Sequence, residues 1–272
     1  MRNFRAFPDA TELIAKDWRT ELVTTLNWQE QKLAHQAGEA GGFFVNAGSL
    51  SGYAKPGRNQ PPIAQHCRAA HEKIAADLAF DLGFPVPPAV LWIRSPVPSG
   101  CEQFCCVSAL PFTNANPWRE ALKVPATAAR ILPALGTYAS AMAVFDTWLG
   151  NTDRANVGNL VITEDLTQTP PMIRVAYIDY ANSLSHGWQD QVRAGTVSVV
   201  GHYPNQAPVD EAAMAEAIDR IGALPDDQIR GIVTRVDHTF APSPKRSIME
   251  SALIVRKTKL RAALKAVYPK LP

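Results

Sequence analysis

Phe145-Asp146-Thr147-Trp148-Leu149-Gly150-Asn151-Thr152-Asp153-Arg154-Ala155-Asn156-Val157-Gly158-Asn159-Leu160-Val161-Ile162 is the stretch whose reading decides this chain. Upstream, Ile131, Leu135, Tyr138, Met142, Phe145 and Leu149 recur at helical spacing and predict a buried helix over 126–149, which Gly150 ends. Downstream, Leu160–Ile162 predicts a short strand. Between them lies a polar loop holding Asp153, Asn156 and Asn159. A second segment, Tyr177-Ile178-Asp179-Tyr180, sets a carboxylate at the end of the next predicted strand, Ile173–Ile178. A hairpin joining the two strands returns both ends to one place. Asn and Asp after a helix also serve as a plain capping turn. Two further asparagines, and an Asp179 set among Tyr177, Ile178 and Tyr180, favour chemistry, because a carboxylate in apolar company needs a metal or a donor.

Two carboxylates and an amide before and after one hairpin suit the transfer of a phosphoryl group. That reaction asks for positioning and charge neutralisation rather than covalent chemistry. Metal ions need hard oxygen ligands, and an acceptor hydroxyl needs a carboxylate beside it. A cation must also reach the phosphates. Lys55 stands at the end of the predicted strand Tyr53-Ala54-Lys55-Pro56, after the turn-like run Asn46–Gly52 with its Gly48, Ser49 and Ser51. Its natural ion-pair partner is Glu72, on a helix expected from Ile63 to Leu82 and stopped by Gly83. Read singly, Lys55 is an ordinary solvated strand lysine and Glu72 an exposed helix glutamate. Gly48 and Gly52 do not make a Walker A loop.

The bulk properties agree with a globular protein. The chain has 272 residues, 46% hydrophobic and 19% charged, with a net charge of +2. So small a charge gives no reason to expect nucleic acid or anionic lipid as a partner. No continuous apolar run approaches the roughly 20 residues that cross a bilayer, and the basic N-terminus lacks the apolar stretch of a secretory signal. The expectation is a cytoplasmic protein that meets neither nucleic acid nor membrane. Cys67, Cys101, Cys105 and Cys106 lack the paired spacing of a zinc site and read as small core residues.

Outward from the central loop, residues 9–26 read as an amphipathic helix and Phe43–Val45 as a strand. Ala89–Ile93 and Phe104–Leu110 are two more strands. Polar residues and prolines from Pro111 to Pro125 mark a crossing, which divides the chain into 1–110 and 111–272. Helices follow over Glu211–Ile221, Asp226–Val236 and Ser247–Val267.

Read together, Tyr53-Ala54-Lys55-Pro56, His71-Glu72, Leu82-Gly83-Phe84-Pro85-Val86-Pro87, Asn151-Thr152-Asp153-Arg154 with Asn159, and Ile178-Asp179 resemble the HipA-like kinases and, more distantly, the phosphoinositide kinases. Leu224-Pro225-Asp226 and the helix with Arg256 and Leu260 are similar to the family's C-terminal part. The resemblance runs from about Phe43 to Val267. It implies an α+β, bilobal, protein-kinase-like fold with a small β-rich N-lobe (1–110) and a mostly helical C-lobe (111–272). It implies ATP and Mg²⁺ as cofactors and a Ser or Thr hydroxyl, of a protein or of the chain itself, as acceptor. Lys55 would meet the phosphates and Glu72 would hold Lys55. Asp153 would orient or deprotonate the acceptor, and Asn159 and Asp179 would bind Mg²⁺. Gly48, Ser49 and Ser51 would form the phosphate loop, and the backbone of Ser108, Ala109 and Leu110 would border the adenine.

Two departures stand out. The family's metal asparagine follows the catalytic Asp by five residues, whereas Asn156 and Asn159 follow Asp153 by three and six. The His that follows Asp-Arg in lipid kinases is Ala155. The first leaves a catalytically weak or inactive pseudokinase, a nucleotide-binding or interaction module, as the alternative, and a small-molecule kinase stands third. A regulatory partner protein also has room in this reading.

Overall fold

Phe43–Ala47 (β2) and Leu50–Pro56 (β3) form a hairpin whose register runs from Phe43 against Ala54 to Ala47 against Leu50. The turn is therefore Gly48-Ser49 alone, much tighter than the run 46–52 expected from composition. Gly48 takes a positive φ of 61° there, the conformation that glycine adopts without penalty. The structure is a computed structural model that describes residues 2–31, 42–57, 67–97, 103–112, 115–165, 172–184 and 197–272. Cys101, the first residues of the helix expected from Ile63, and residues 98–100 of the loop 95–100 lie outside them.

The hairpin belongs to a five-stranded antiparallel sheet ordered β1-β2-β3-β5-β4, where β1 is Gln29–Glu30, β4 is Ala89–Ile93 and β5 is Phe104–Ala109. Helix α1, Asp9–Thr20, is shorter than the pattern over 9–26 implied. Leu22 and Val23 are apolar for a different reason: the chain turns extended at Glu21 and Val23 bridges Leu91 at the sheet edge. Helix α2, Arg68–Leu82, packs against β4 and β5 and closes on Gly83, which adopts the left-handed conformation (φ 71°). Its small residues Ala69, Ala70, Ala75, Ala76 and Ala79 are buried and let the sheet approach closely.

Beyond Leu110 the chain is mainly helical. Asn116–Pro117 (β6) and Trp118–Leu122 (α3) precede α4, Pro125–Leu149. By length and hydropathy α4 would also suit a bilayer, but it is the core helix of the protein. Packed by α5 (Glu211–Ala223) and α7 (Ser243–Val267), it is buried continuously from Ala139 to Leu149. Between α5 and α7 lies α6, Asp226–Thr234. Leu160–Asp165 (β7) and Met172–Tyr177 (β8) pair antiparallel, with Leu160 opposite Tyr177, and β6 adds a third strand. The hairpin expected between the two segments is formed, and it sets the end of β8 beside the start of β7. One apolar core runs from Phe4 through α2 and α4 to Leu271, so sheet and helices share it. The chain is thus an α+β molecule with a β-rich N-terminal and a helical C-terminal part.

Candidate active site

Strand β3 alternates its faces, so Ser51, Tyr53 and Lys55 lie on one side. Lys55 is only 9% exposed, and its Nζ lies 2.6 Å from Oε1 of Glu72 and 2.9 Å from Oδ1 of Asp179. Burial by itself would lower the Lys55 pKa, but the two carboxylates more than offset it and the net shift is upward. Asp179 is the mirror case. Burial raises its pKa, while the charge and hydrogen bond of Lys55, with help from Arg154 and the Ala181 amide, bring the net shift below the usual carboxylate value. Both groups are charged at neutral pH. Glu72 is no exposed glutamate: it is buried on α2 and aimed at Lys55. The neighbouring His71 donates from Nδ1 to the carbonyl of Ala181 at 3.0 Å. One turn of α2 therefore grips both the strand lysine and the backbone just beyond Asp179.

Asp179 has a φ of 68°, in the left-handed region that a non-glycine residue enters at a cost. Surrounding bonds hold it there. Asn151 reaches both acidic residues, accepting from the Asp153 amide at 3.4 Å and donating to the Asp179 carbonyl at 3.4 Å. Asp153 and Asp179, 26 residues apart in the sequence, thus share one hydrogen-bonded network.

Two consecutive turns account for the six-residue spacing. The Asn156 amide donates to the Asp153 carbonyl at 3.2 Å, and the Asn159 amide to the Asn156 carbonyl at 2.9 Å. Asn156 uses its side-chain oxygen to accept from the Gly158 amide at 3.0 Å. Asn159, buried, donates its side-chain nitrogen to the Asp153 carbonyl at 3.0 Å and lies 3.5 Å from the carboxylate. Of the two asparagines, Asn159 is the one brought against Asp153. Its amide nitrogen is engaged, so its oxygen is the end an ion would meet.

The hub of this loop is a residue to which the sequence reading assigned no role. Arg154 is 1% exposed and donates from Nε and Nη2 to both oxygens of Asp146 at 2.6 and 3.1 Å. From Nη1 it donates to the carbonyls of Asn159 (2.8 Å) and Ile178 (2.9 Å). Its guanidinium also lies 5.3 and 4.9 Å from the ring centroids of Tyr177 and Tyr180. Burial pulls its pKa down, but Asp146 more than restores it. The available signal was Asp146 itself, a carboxylate inside an apolar helix eight residues before an arginine. Arg256 on α7 adds a second brace. It donates to the carbonyls of Trp148 (2.8 Å) and Thr147 in the last turn of α4, where helix carbonyls run short of intrahelical donors.

The remaining predicted positions are less engaged. Gly48 and Ser49 form the exposed hairpin tip, and a side chain added at Gly48 would meet nothing within 4 Å. Ser51 donates from Oγ to Asn46 Oδ1 at 3.0 Å, across the hairpin. At the end of β5, the Ala109 amide donates to Pro88 (2.9 Å) and the Leu110 amide to Ser51 (3.1 Å). Those donors, expected to face a base edge, are engaged inside the sheet. Ser108 sits in the ladder opposite Tyr53 and Ala89.

The donor set fits a magnesium–nucleotide complex. Mg²⁺ takes oxygen ligands and is held by one or two carboxylates plus substrate phosphates. Here Asp179 is ionised, Asn159 presents an oxygen, and Asp153 adjoins it. Among the described residues, no group of three or more His, Cys, Asp and Glu side chains is placed to hold a metal by itself, so substrate phosphates would have to complete the shell.

This molecule resembles a solved kinase structure. Over 92% of this chain and 100% of the other, it superposes on the crystal structure of CtkA, a proinflammatory kinase of Helicobacter pylori, with a TM-score of 0.60 and 16% sequence identity. The fold is kinase-like. No protein-family model matches the sequence, and no curated protein matches it either.

Proposed function

We propose that the chain is an ATP- and Mg²⁺-dependent kinase of the HipA-like type, divided near residue 110 into an N-lobe and a C-lobe, that phosphorylates a Ser or Thr hydroxyl. The observation that carries this is the convergence of Lys55, Glu72 and Asp179 on one side and Asp153 and Asn159 on the other. Lys55, fixed by Glu72, neutralises phosphate charge. Asn159 and Asp179 hold the metal, which when bound screens the phosphate oxygens. Asp153 orients the acceptor hydroxyl and receives its proton. The kinase-like fold supports the same assignment. That Asn159, six residues on, returns to Asp153 weighs against a damaged metal site, and so against the pseudokinase.

Purified protein incubated with Mg²⁺ and γ-labelled ATP tests the proposal. The expected result is labelled protein or added protein acceptor, abolished in Asp153→Ala and Asp179→Ala. Nucleotide-dependent thermal stabilisation without any transfer would select the pseudokinase. Absence of both transfer and stabilisation would end the proposal.

A further inference from the structure

We propose that a neutral cavity beside the catalytic loop receives an apolar side chain of a polypeptide acceptor, within about three residues of the phosphorylated Ser or Thr at roughly 3.4 Å of extended chain per residue. This deepens the kinase reading and rests on it.

The cavity measures about 560 Å³ and has three walls. Trp118 and Leu122 of α3 form one, Thr152 and Val157 of the catalytic loop a second, and the segment Val199–Gln206 the third. Thr152 and Arg154 of its wall are the chain neighbours of Asp153, so the cavity opens one residue along the loop from the proposed base. The walls are fixed. The Arg119 amide donates to the Val157 carbonyl at 3.2 Å, which ties α3 to the loop. The Val200 amide donates to Thr147 Oγ1 at 2.9 Å, and Tyr177 Oη to the Tyr203 carbonyl at 3.1 Å.

Charge decides the occupant. No Asp, Glu or Lys lines the cavity among the described residues. The arginine in its wall, Arg154, has its guanidinium bound to Asp146 and two carbonyls. Burial also lowers the His202 pKa, which favours the neutral ring at pH 7. Among the described residues of these walls a basic side chain would find no counter-ion, nor would a phosphate or carboxylate find a free cation, and an unpaired charge is costly to desolvate. An apolar group loses nothing. Leu122 and Val157 are each 40% exposed at the rim, apolar surface that such a group would cover. The same exposure leaves the mouth open, which suits a passing polypeptide better than an enclosed metabolite. Asn205 and Gln206, exposed at the edge, can pair with its backbone.

The test uses the full chain, Mg²⁺, γ-labelled ATP and a peptide library with one central Ser or Thr and one varied flanking position. Leu, Met or Phe at a position within three residues should be preferred over Arg, Lys, Asp or Glu by about tenfold or more in kcat/KM. Leu122→Glu and, independently, Val157→Glu should erase that preference, and the nucleotide-dependent thermal shift reports whether each variant is folded. Transfer to peptides without the preference, a preference for charged residues, or transfer only to small-molecule hydroxyls would each overturn the inference while leaving the kinase reading intact. If nucleotide binds but nothing is phosphorylated, anisotropy of a labelled Leu-containing peptide with a non-hydrolysable ATP analogue decides: binding lost in Leu122→Glu supports the cavity's role, and no binding overturns it. Absence of both nucleotide binding and transfer removes the two together.

Discussion

The catalytic loop 151–159 and the hairpin tip 48–51 both belong to the proposed site, yet they are built in opposite ways. The loop is over-determined: Arg154 is buried, its four hydrogen bonds and two ring contacts all fall on residues 146–180, Asn151 bridges Asp153 and Asp179, and Asn159 bonds Asp153. The tip is lightly held, a positive-φ Gly48 with open space around it in a two-residue turn, and one side-chain bond from Ser51 to Asn46 behind it. In the proposed site, the groups assigned to the metal and the proton acceptor sit where moving them means breaking a buried ion pair, and those assigned to cover phosphates sit where movement is cheap.

The sharpest way to break this comparison is to remove the chemistry and keep the scaffold. Asp153→Ala should cut transfer by about 10²–10⁴-fold, the range for a lost general base, while a urea melt shows wild-type stability. Next comes the scaffold itself. Asp146→Ala leaves Arg154 buried and unpaired and should cost about 3–5 kcal/mol in denaturant unfolding, with activity falling in step. If Asp146→Ala melts like wild type, the loop is not held as described. A smaller effect separates the two asparagines. Asn159→Ala should weaken Mg²⁺-dependent nucleotide binding at least as much as the roughly 10–100-fold typical of an outer-shell partner, whereas Asn156→Ala should lose only its turn bond. Smallest is the tip: Gly48→Ala meets no clash and should cost about 1 kcal/mol for a left-handed Cβ, read as a shift in melting temperature.

The pH dependence carries a sign of its own. Asp179 has a folded pKa below its ordinary value of 3.8. Its ion pair with Lys55 therefore stabilises the fold fully above that value, and the contribution is lost only as the pH falls through the lower folded pKa. A stability profile between pH 5 and 8 should show no step from this pair; Asp179→Asn should remove the acid-limb loss.

Much of this was legible in the sequence because it rests on local patterns. The helix ends at Gly83 and Gly150, the β7–β8 hairpin, and the candidate groups Lys55, Glu72, Asp153 and Asp179 all carry a spacing or turn signal; ion pairs join Lys55 to Glu72 and Asp179, and Asn151 links the backbones at Asp153 and Asp179. What stayed hidden depends on distant partners. Leu22 and Val23 look helical until Leu91 gives them a strand edge. The amides of Ala109 and Leu110 look free until Pro88 and Ser51 take them. The choice between Asn156 and Asn159 follows from two turns that no single spacing encodes. The cavity by α3 draws on three separate segments and has no motif at all.

Calorimetric titration of ATP in the presence and absence of Mg²⁺ tests the central claim most directly. Wild-type protein should bind ATP in a Mg²⁺-dependent manner, Asp179→Ala and Asn159→Ala should lose that dependence, and Asn156→Ala should keep it. Metal-independent binding in the wild type, or a loss confined to Asn156→Ala, would contradict the account.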